Sequence, residues 1–292
     1  MVQDKTLGGR IFDTVNYTLL AIIALATFLP FVHVIAGSFT TVGELAQKQF
    51  VIIPTVWSVD AYKYIFSTNT IFKALGVSIG VTLCGTLFSM FLTALMAYGL
   101  SRRDLVGRSG IMFMVVFTML FSGGMIPTFL VVKEMGLIDS YGALIVPTAI
   151  NAFNLIIMRN FFQNLPDGIE ESAKIDGCSD WGILFRIVIP LSMPAIATIS
   201  LFYAVTYWNT YIQAILYLND AAKWPVQVIL RQIVILASGL TADTSGMDDA
   251  IRPPEQTVKM AVIVVATLPI LMVYPFLQKH FAKGALLGSV KG

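Results

Sequence analysis

Long stretches without charged residues alternate with short charged segments along the chain, and these stretches predict membrane-spanning helices. A helix needs about 20 mostly apolar residues to cross a hydrocarbon core of about 30 Å, because each residue rises about 1.5 Å. No charged residue lies between Asp13 and Glu44, for example. The predicted helices cover residues 15–37, 74–100, 111–132, 143–162, 194–217 and 258–277. We therefore expect an all-α membrane protein with about six transmembrane helices in one domain, 1–292.

Two of these helices have features that affect their assignment. The first follows Lys5 and Arg10, as a secretory signal would. It is longer than the apolar part of a signal peptide, and no convincing cleavage site follows it, so we expect it to be retained. The third has Gly123-Gly124 and Pro127 near its far end.

The distribution of Lys and Arg predicts the orientation of the chain, since cytoplasmic loops carry an excess of both. With a cytoplasmic N-terminus, 11 of the 19 Lys and Arg residues lie inside, although the outer loops 38–73 and 218–257 are longer. The inside segments are then 1–14, 101–110, 159–190 (which includes the loop 163–190) and 278–292. Both termini are expected in the cytoplasm.

Composition agrees with a membrane protein and excludes several other classes. The chain is 57% hydrophobic and 12% charged, with a mean hydropathy of +0.79, whereas soluble domains are about 25% charged. A net charge of +2 gives no reason to expect a nucleic-acid partner. Cys84 lies in an apolar run and Cys178 in a polar segment, which argues against a disulfide between them.

The predicted spans contain no Asp or Glu near their centres. Ion-coupled carriers and proton relays need ionisable groups at membrane depth, and metalloenzymes need clusters of His, Asp or Glu. The two histidines, His33 and His280, both lie near helix ends, and no Gly-rich phosphate loop is present. We therefore expect no catalytic residue, metal or cofactor, and an energy source on another subunit.

The predicted inside loop contains a short helix. Pro166 is suited to begin it, acidic residues favour its N-terminal end, and Gly177 can end it. One face combines small and apolar residues: Ile169, Ser172, Ala173 and Asp176. Local physics leaves two interpretations open, a docking surface for another protein and a simple connecting helix.

The same loop resembles a known signature. Permease subunits of binding-protein-dependent ABC importers carry the pattern E-A-A-x3-G-x9-I-x-L-P. This chain has Glu171-Ser172-Ala173, then Gly177, then Ile187-Val188-Ile189-Pro190 at the same spacing. Ser172 replaces the first alanine and Ile189 the leucine. The loop is therefore identified as that of an importer permease, which favours the docking interpretation.

The resemblance extends over nearly the whole chain. Residues 151–162 and the tail 283–292 resemble the carbohydrate branch, in particular its shorter, maltose-type second permease. Residues 274–279 and 223–225 are similar to the subgroup of LplC-like permeases and alginate-oligosaccharide importers.

The resemblance implies a type I ABC importer permease fold in the bacterial inner membrane. It also implies four kinds of contact: a second homologous permease, two cytoplasmic ATPase subunits that bind ATP-Mg, an extracytoplasmic solute-binding protein and membrane lipid. The implied ATPase-docking residues are Glu170, Glu171, Ser172, Ala173, Asp176, Gly177, Ile187 and Pro190. The C-terminal tail would also lie at the ATPase. The loop 218–257 would meet the binding protein, with an amphipathic helix near 224–236 and a flexible part at 243–252.

Polar and aromatic residues in the fourth and fifth helices suggest a sugar path, because sugars are held by aromatic faces and by hydroxyl-bonding side chains. The candidates are Asn151, Asn154, Tyr203, Tyr207, Trp208, Asn209, Tyr211 and Gln213. Tyr207 and Tyr211 would share one face of a continuous helix. The alternative is that Trp208, Tyr211 and Tyr217 form an aromatic belt at the membrane surface. Gly76 and Gly80 are assigned to helix packing.

The function predicted from the sequence is the pore-forming subunit of an ATP-driven sugar importer. Arg231, Arg252 and Lys259 on the predicted outer side would suit an acidic oligosaccharide such as alginate. Two alternatives remain open: an ABC permease for a non-sugar solute, and an autonomous channel or secondary carrier.

Overall fold

A computed structural model of the chain describes residues 6–67, 69–237 and 256–289, and these ranges are predominantly helical. The α-helices are α1 (Leu7–Ser38), α2 (Val42–Gln47), α3 (Asp60–Ser67), α4 (Asn69–Ser101), α5 (Arg108–Leu120), α6 (Met125–Glu134), α7 (Gly142–Ile145), α8 (Ala152–Gln163), α9 (Asp167–Ile175), α10 (Asp180–Ile183), α11 (Ile189–Leu191), α12 (Met193–Trp208), α13 (Ile212–Tyr217), α14 (Val226–Ala237) and α15 (Gln256–Ser289). A 3₁₀ turn follows α7 at Val146–Thr148, and a π-helix joins α10 to α11 at Leu184–Val188. Another 3₁₀ turn lies at Ala221–Lys223.

The chain divides into two compact units. The first comprises Met1–Asn69 with Leu230–Thr267, and the second comprises Thr70–Ile229 with Leu268–Gly292. The docking helix and all eight residues of the predicted sugar path belong to the second unit.

In the first unit, the buried carboxylate of Glu44 in α2 bonds residues on both sides of that helix. It accepts hydrogen bonds from the Lys48 ammonium at 2.8 Å, the Thr40 hydroxyl at 2.8 Å, the Thr55 hydroxyl, and the N–H groups of Thr55 and Val56. The bond from Lys48 and then those from Thr55 and Val56 hold the pKa of Glu44 far below its usual range. A buried charge needs such a complete set of donors.

The second unit combines one long continuous helix with several bent ones. Helix α4 runs for 33 residues. The pair α5 and α6 is bent by 118°, the α7 segment and α8 by 53°, and the α10–α11 segment and α12 by 85°. By length and composition, the described residues contain two helices that could each cross a membrane, or up to five if every bent pair counts as one. Six crossings therefore remains a prediction.

Three predicted helices are interrupted in the structure. The single helix predicted at 111–132 is wrong, because it breaks at 121–124, where Gly124 has φ +87°, a conformation that costs glycine little. The helix predicted at 143–162 restarts at Ala152, with Asn151 as its N-cap. The helix predicted at 194–217 is not continuous either, since α12 ends at Trp208 and α13 begins at Ile212.

The core of the second unit lies where α8, α12 and the π-helical segment meet. Its fully buried side chains include Leu155, Met158, Ile183, Ile199 and Tyr203. Because these helices are apolar around most of their circumference, sequence periodicity alone does not show which side faces the core.

Candidate docking helix and translocation pocket

The predicted short helix is present as α9, Asp167–Ile175. Pro166 precedes it in an extended conformation, and Gly177 follows its C-cap with φ +77°. The N–H of Gly177 donates to the carbonyl of Lys174, and that of Cys178 donates to the carbonyl of Ala173. These bonds satisfy the last carbonyls of the helix, as expected where a glycine ends it.

Glu170 faces the rest of the chain. Its carboxylate contacts the guanidinium of Arg102, which also bonds Asp180 at 3.0 Å and lies 4.8 Å from the centre of the Tyr98 ring. The side chains of Arg102 and Glu170 are only 19% and 22% exposed. Arg102 therefore links Glu170 in α9 and Asp180 in α10 to the end of α4. This contact was not predicted from the sequence, because 68 positions separate Arg102 from Glu170.

The opposite face of α9 is exposed. Glu171, Ser172 and Asp176 lie on it, and the Ser172 hydroxyl donates to the carbonyl of Gly168 at 2.7 Å. Ile175 is 87% exposed, although isoleucine is usually buried. Ala173, in contrast, is buried in the core of its own unit. The small side chain of Ala173 thus serves packing within the chain. Ile175 is an exposed apolar side chain that was not among the predicted docking residues.

Two predicted docking residues near the end of the signature, Ile187 and Pro190, lie where the chain turns into α12. Ile187 is half-buried in the π-helix, and Pro190 is exposed in α11. The 85° bend follows immediately. These residues lie in the turn that connects α10 to α12.

A cavity of about 510 Å³ adjoins the N-terminal end of α8. Its lining is uncharged: Thr118, Met119, Pro147, Thr148, Ile150, Asn151, Ala152, Phe153, Asn154, Tyr203 and Thr206. We call this cavity the α8 pocket. It brings together Asn151, Asn154 and Tyr203 from the predicted sugar path.

Tyr203 and Tyr207 are both buried and connect three elements. The Tyr203 hydroxyl accepts from the Asn151 N–H at 2.9 Å and bonds the Thr93 hydroxyl at 2.8 Å. The Tyr207 hydroxyl donates to the carbonyl of Ile145 at 3.3 Å and bonds the Ser89 hydroxyl at 2.7 Å. Both hydroxyls thus satisfy backbone groups at the break between α7 and α8. At membrane depth such groups need partners from within the protein.

The other predicted path residues do not line the α8 pocket. Trp208 is buried, and the Asn209 side-chain amide donates to the carbonyl of Val205 at 2.8 Å. Tyr211 and Gln213 lie beyond the helix break, so Tyr211 does not share a helix face with Tyr207. Trp208 and Tyr217 are buried inside the protein, which also does not fit a belt at the membrane surface.

An ion pair ties the loop after α6 to the loop after α13. The Lys223 ammonium donates to Asp139 Oδ2 at 2.6 Å, and Asp139 Oδ1 accepts from the N–H groups of Asn219 and Asp220, each at 3.1 Å. The bond from Lys223 is the main reason why the pKa of Asp139 is lowered, and the same bond raises the pKa of Lys223. Helix α14 follows, as predicted for 224–236. Residues 238–255, which include the segment predicted to be flexible and Arg252, lie outside the described residues.

Comparison with known proteins identifies the family. Residues 85–286 match the family described as the inner membrane component of binding-protein-dependent transport systems. The chain belongs to this family. It is a permease, and the predicted family and all-α permease fold are confirmed. Permeases of this family are multi-pass proteins of the inner membrane that contain no catalytic centre.

Individual relatives match this permease along almost its whole length. It is 71% identical over 284 residues to the polygalacturonan/rhamnogalacturonan transport system permease protein YtcP of Bacillus subtilis (strain 168), covering 97% of this chain and 99% of that one. It is 57% identical over 288 residues to Protein LplC of the same organism, covering 99% and 97%.

A solved structure shows the same fold. The match is to a chain in the crystal structure of a bacterial ABC transporter involved in the import of the acidic polysaccharide alginate. The TM-score is 0.85 at 32% identity, with 94% of this permease and 98% of that chain covered.

Proposed function

We propose that this permease forms half of a pore that imports acidic oligosaccharides, driven by ATP hydrolysis on separate subunits. The observation that carries this proposal is the 71% identity with a permease named for polygalacturonan and rhamnogalacturonan. The structural neighbour is named for alginate, another acidic polysaccharide. Carboxylate-bearing saccharides are the chemistry that both names share.

The exposed face of α9 supports a docking role. Glu171, Ser172, Ile175 and Asp176 offer an acidic rim beside one apolar side chain, a combination suited to a groove on another protein. We assign this face to a cytoplasmic ATPase that binds ATP-Mg, and Glu171 to a basic residue there. Both termini are then cytoplasmic, and a second homologous permease completes the pore.

Movement would pass from the ATPase into the permease through Arg102. The guanidinium connects the inner side of α9 to α10 and to the end of α4. A rigid-body shift of α9 would therefore displace α4 as well, which is how packed elements transmit a switch between two states. The loop that Asp139 and Lys223 hold together would face the extracytoplasmic binding protein.

The test is uptake by the complete transporter in proteoliposomes, with its binding protein, against galacturonate trimers and neutral maltotriose. We expect ATP-dependent uptake of the acidic trimer and little uptake of the neutral sugar. Import of the neutral sugar alone would overturn the substrate class. Uptake by the permeases without ATPase, driven by an ion gradient, would overturn the ATP-driven mechanism.

A charge reversal tests the docking face separately. Glu171→Lys should abolish most uptake while the permease still inserts and the ATPase still hydrolyses ATP, because the change removes an attractive contact from the interface. Asp13→Lys reverses another exposed acid, which lies in α1, and serves as the control. Normal uptake by Glu171→Lys would refute the assignment of this face.

A further inference from the structure

The α8 pocket combines a polar lining with a complete absence of charged side chains. Asn154 lines it and is only 5% exposed. Among the described residues, none hydrogen-bonds the side-chain amide of Asn154. Its amide atoms are not among the solvent-inaccessible unpaired atoms of the described residues, so they open into the pocket, where they can bond an occupant.

The N-terminal end of α8, which carries a partial positive charge, also lies at the pocket. Helix α8 has 12 residues and begins at Ala152, at an angle of 53° to the segment before it. The side chain of Asn151 accepts from the N–H of Asn154, and no described residue accepts from the N–H groups of Ala152 and Phe153, which line the pocket. Free N–H groups at a helix N-terminus attract anions.

We propose that the α8 pocket binds the carboxylate of one uronic acid unit of the substrate during its passage. The carboxylate would accept from the first N–H groups of α8 and from the Asn154 amide. The hydroxyls of Thr118, Thr148 and Thr206 lie around the same space and suit the sugar hydroxyls. This inference rests on the proposed function, since it names the chemical group that the importer recognises inside the membrane.

The absence of Lys and Arg from the lining fits a transport step. A charge-assisted hydrogen bond from Lys or Arg would hold the carboxylate more strongly than a neutral donor does, and release would be slower. A helix terminus carries only about half an elementary charge. The pocket can therefore prefer an anion over a neutral sugar without trapping it.

The test compares two isosteric substitutions in the same helix within the complete transporter. Asn154→Asp places a negative charge in the pocket, and Asn160→Asp makes the same change at an exposed position nearer the other end of α8. The probes are trigalacturonate and the same trimer with its carboxylates reduced to alcohols, and both are measured as initial uptake and as KM.

We expect Asn154→Asp to raise the KM for trigalacturonate by about tenfold or more, with a much smaller change for the reduced trimer. Asn160→Asp should leave both unchanged. Equal KM values for trigalacturonate in Asn154→Asp and wild type would overturn the pocket assignment. So would an equal loss for both probes, which indicates a purely structural effect.

Two checks keep this test separate from other failures. Co-purification with the ATPase shows whether Asn154→Asp assembles. If it does not, Asn154→Ala is used, and it should impair uptake of trigalacturonate more than uptake of the reduced trimer. An equal loss for both probes would again refute the proposal. If the wild-type transporter imports the reduced trimer and not trigalacturonate, the proposed function fails as well. If trigalacturonate is imported and the variants do not discriminate, only the pocket assignment fails.

Discussion

Gly85 in α4 lies directly against the ring of Tyr207. A Cβ at position 85 would lie 2.8 Å from both Cε2 and Cζ of that ring, whereas carbon atoms in contact normally stay about 3.5–4.0 Å apart. The ring cannot easily move away, since Tyr207 is 2% exposed and its hydroxyl bonds Ser89 and Ile145. Gly85→Ala should therefore displace Tyr207 and weaken the support of the break between α7 and α8.

The expected magnitude follows from three contributions. Overpacking a core by one methyl group costs about 1–3 kcal/mol. A lost hydrogen bond inside a membrane protein costs on the order of 0.6 kcal/mol. Replacing Gly by Ala in a helix returns roughly 0.5–1 kcal/mol. The net destabilisation should be about 1–3 kcal/mol.

The assay is the fraction of intact permease complex that survives heating, measured by fluorescence-detected size-exclusion chromatography. Gly80→Ala is the matched control on the same helix, since a Cβ there would meet nothing within 4 Å in this chain. Its stability should equal or slightly exceed that of wild type. Gly85→Ala should cost less in a Tyr207→Leu background, which leaves room for the methyl group. Survival of Gly85→Ala at or above the wild-type temperature would refute the reasoning.

Four other substitutions test side chains of the second unit. Arg102→Gln and Glu170→Gln should each lower the amount of sugar transported per ATP hydrolysed. The double variant should transport no less than Arg102→Gln alone, because both changes break the same contact. Additive losses would contradict this. Ile175→Ser should reduce co-purification of the ATPase without changing permease stability, and an unchanged yield of ATPase would argue against docking at this residue. Asp139→Asn should speed hydrogen exchange in the loop that contains Lys223. The pKa of Asp139 is lowered in the folded state. The wild-type loop should therefore be equally protected from hydrogen exchange at about pH 7 and about pH 5, and the protection should fall only as the pH drops through that lowered pKa. Loss of protection already at about pH 5 would contradict this.

Sequence patterns predicted the docking helix well, because its signals are local. Pro166 and Gly177 mark its two ends, and charged residues between them exclude a membrane span. The orientation of individual side chains was less predictable. Ala173 was assigned to the exposed face and is buried, since on a helix of nine residues small side chains suit either an external or an internal contact.

The fifth predicted helix shows why membrane segments are harder to interpret. Tyr203 and Tyr207 were predicted to line the sugar path. The structure places Tyr203 in the lining of the α8 pocket, and the hydroxyls of both residues also satisfy the break between α7 and α8. Periodicity could not reveal this, because a transmembrane helix is apolar on all sides. The interruption at Gly124 had a visible signal in the Gly-Gly pair, whereas the pairing of Arg102 with Glu170 depends entirely on tertiary structure.

Helix α4 differs from its bent neighbours in being a single rod of 33 residues without proline, about 50 Å long. Arg102 follows its last turn, and near its other end the Ser78 hydroxyl accepts from the N–H of Val226. An α-helix resists compression along its axis, so a push at one end of such a rod cannot be absorbed between the two. A displacement of α4 at Arg102 would therefore also displace Ser78 and Val226, whereas bending would be confined to the interrupted helices beside α4.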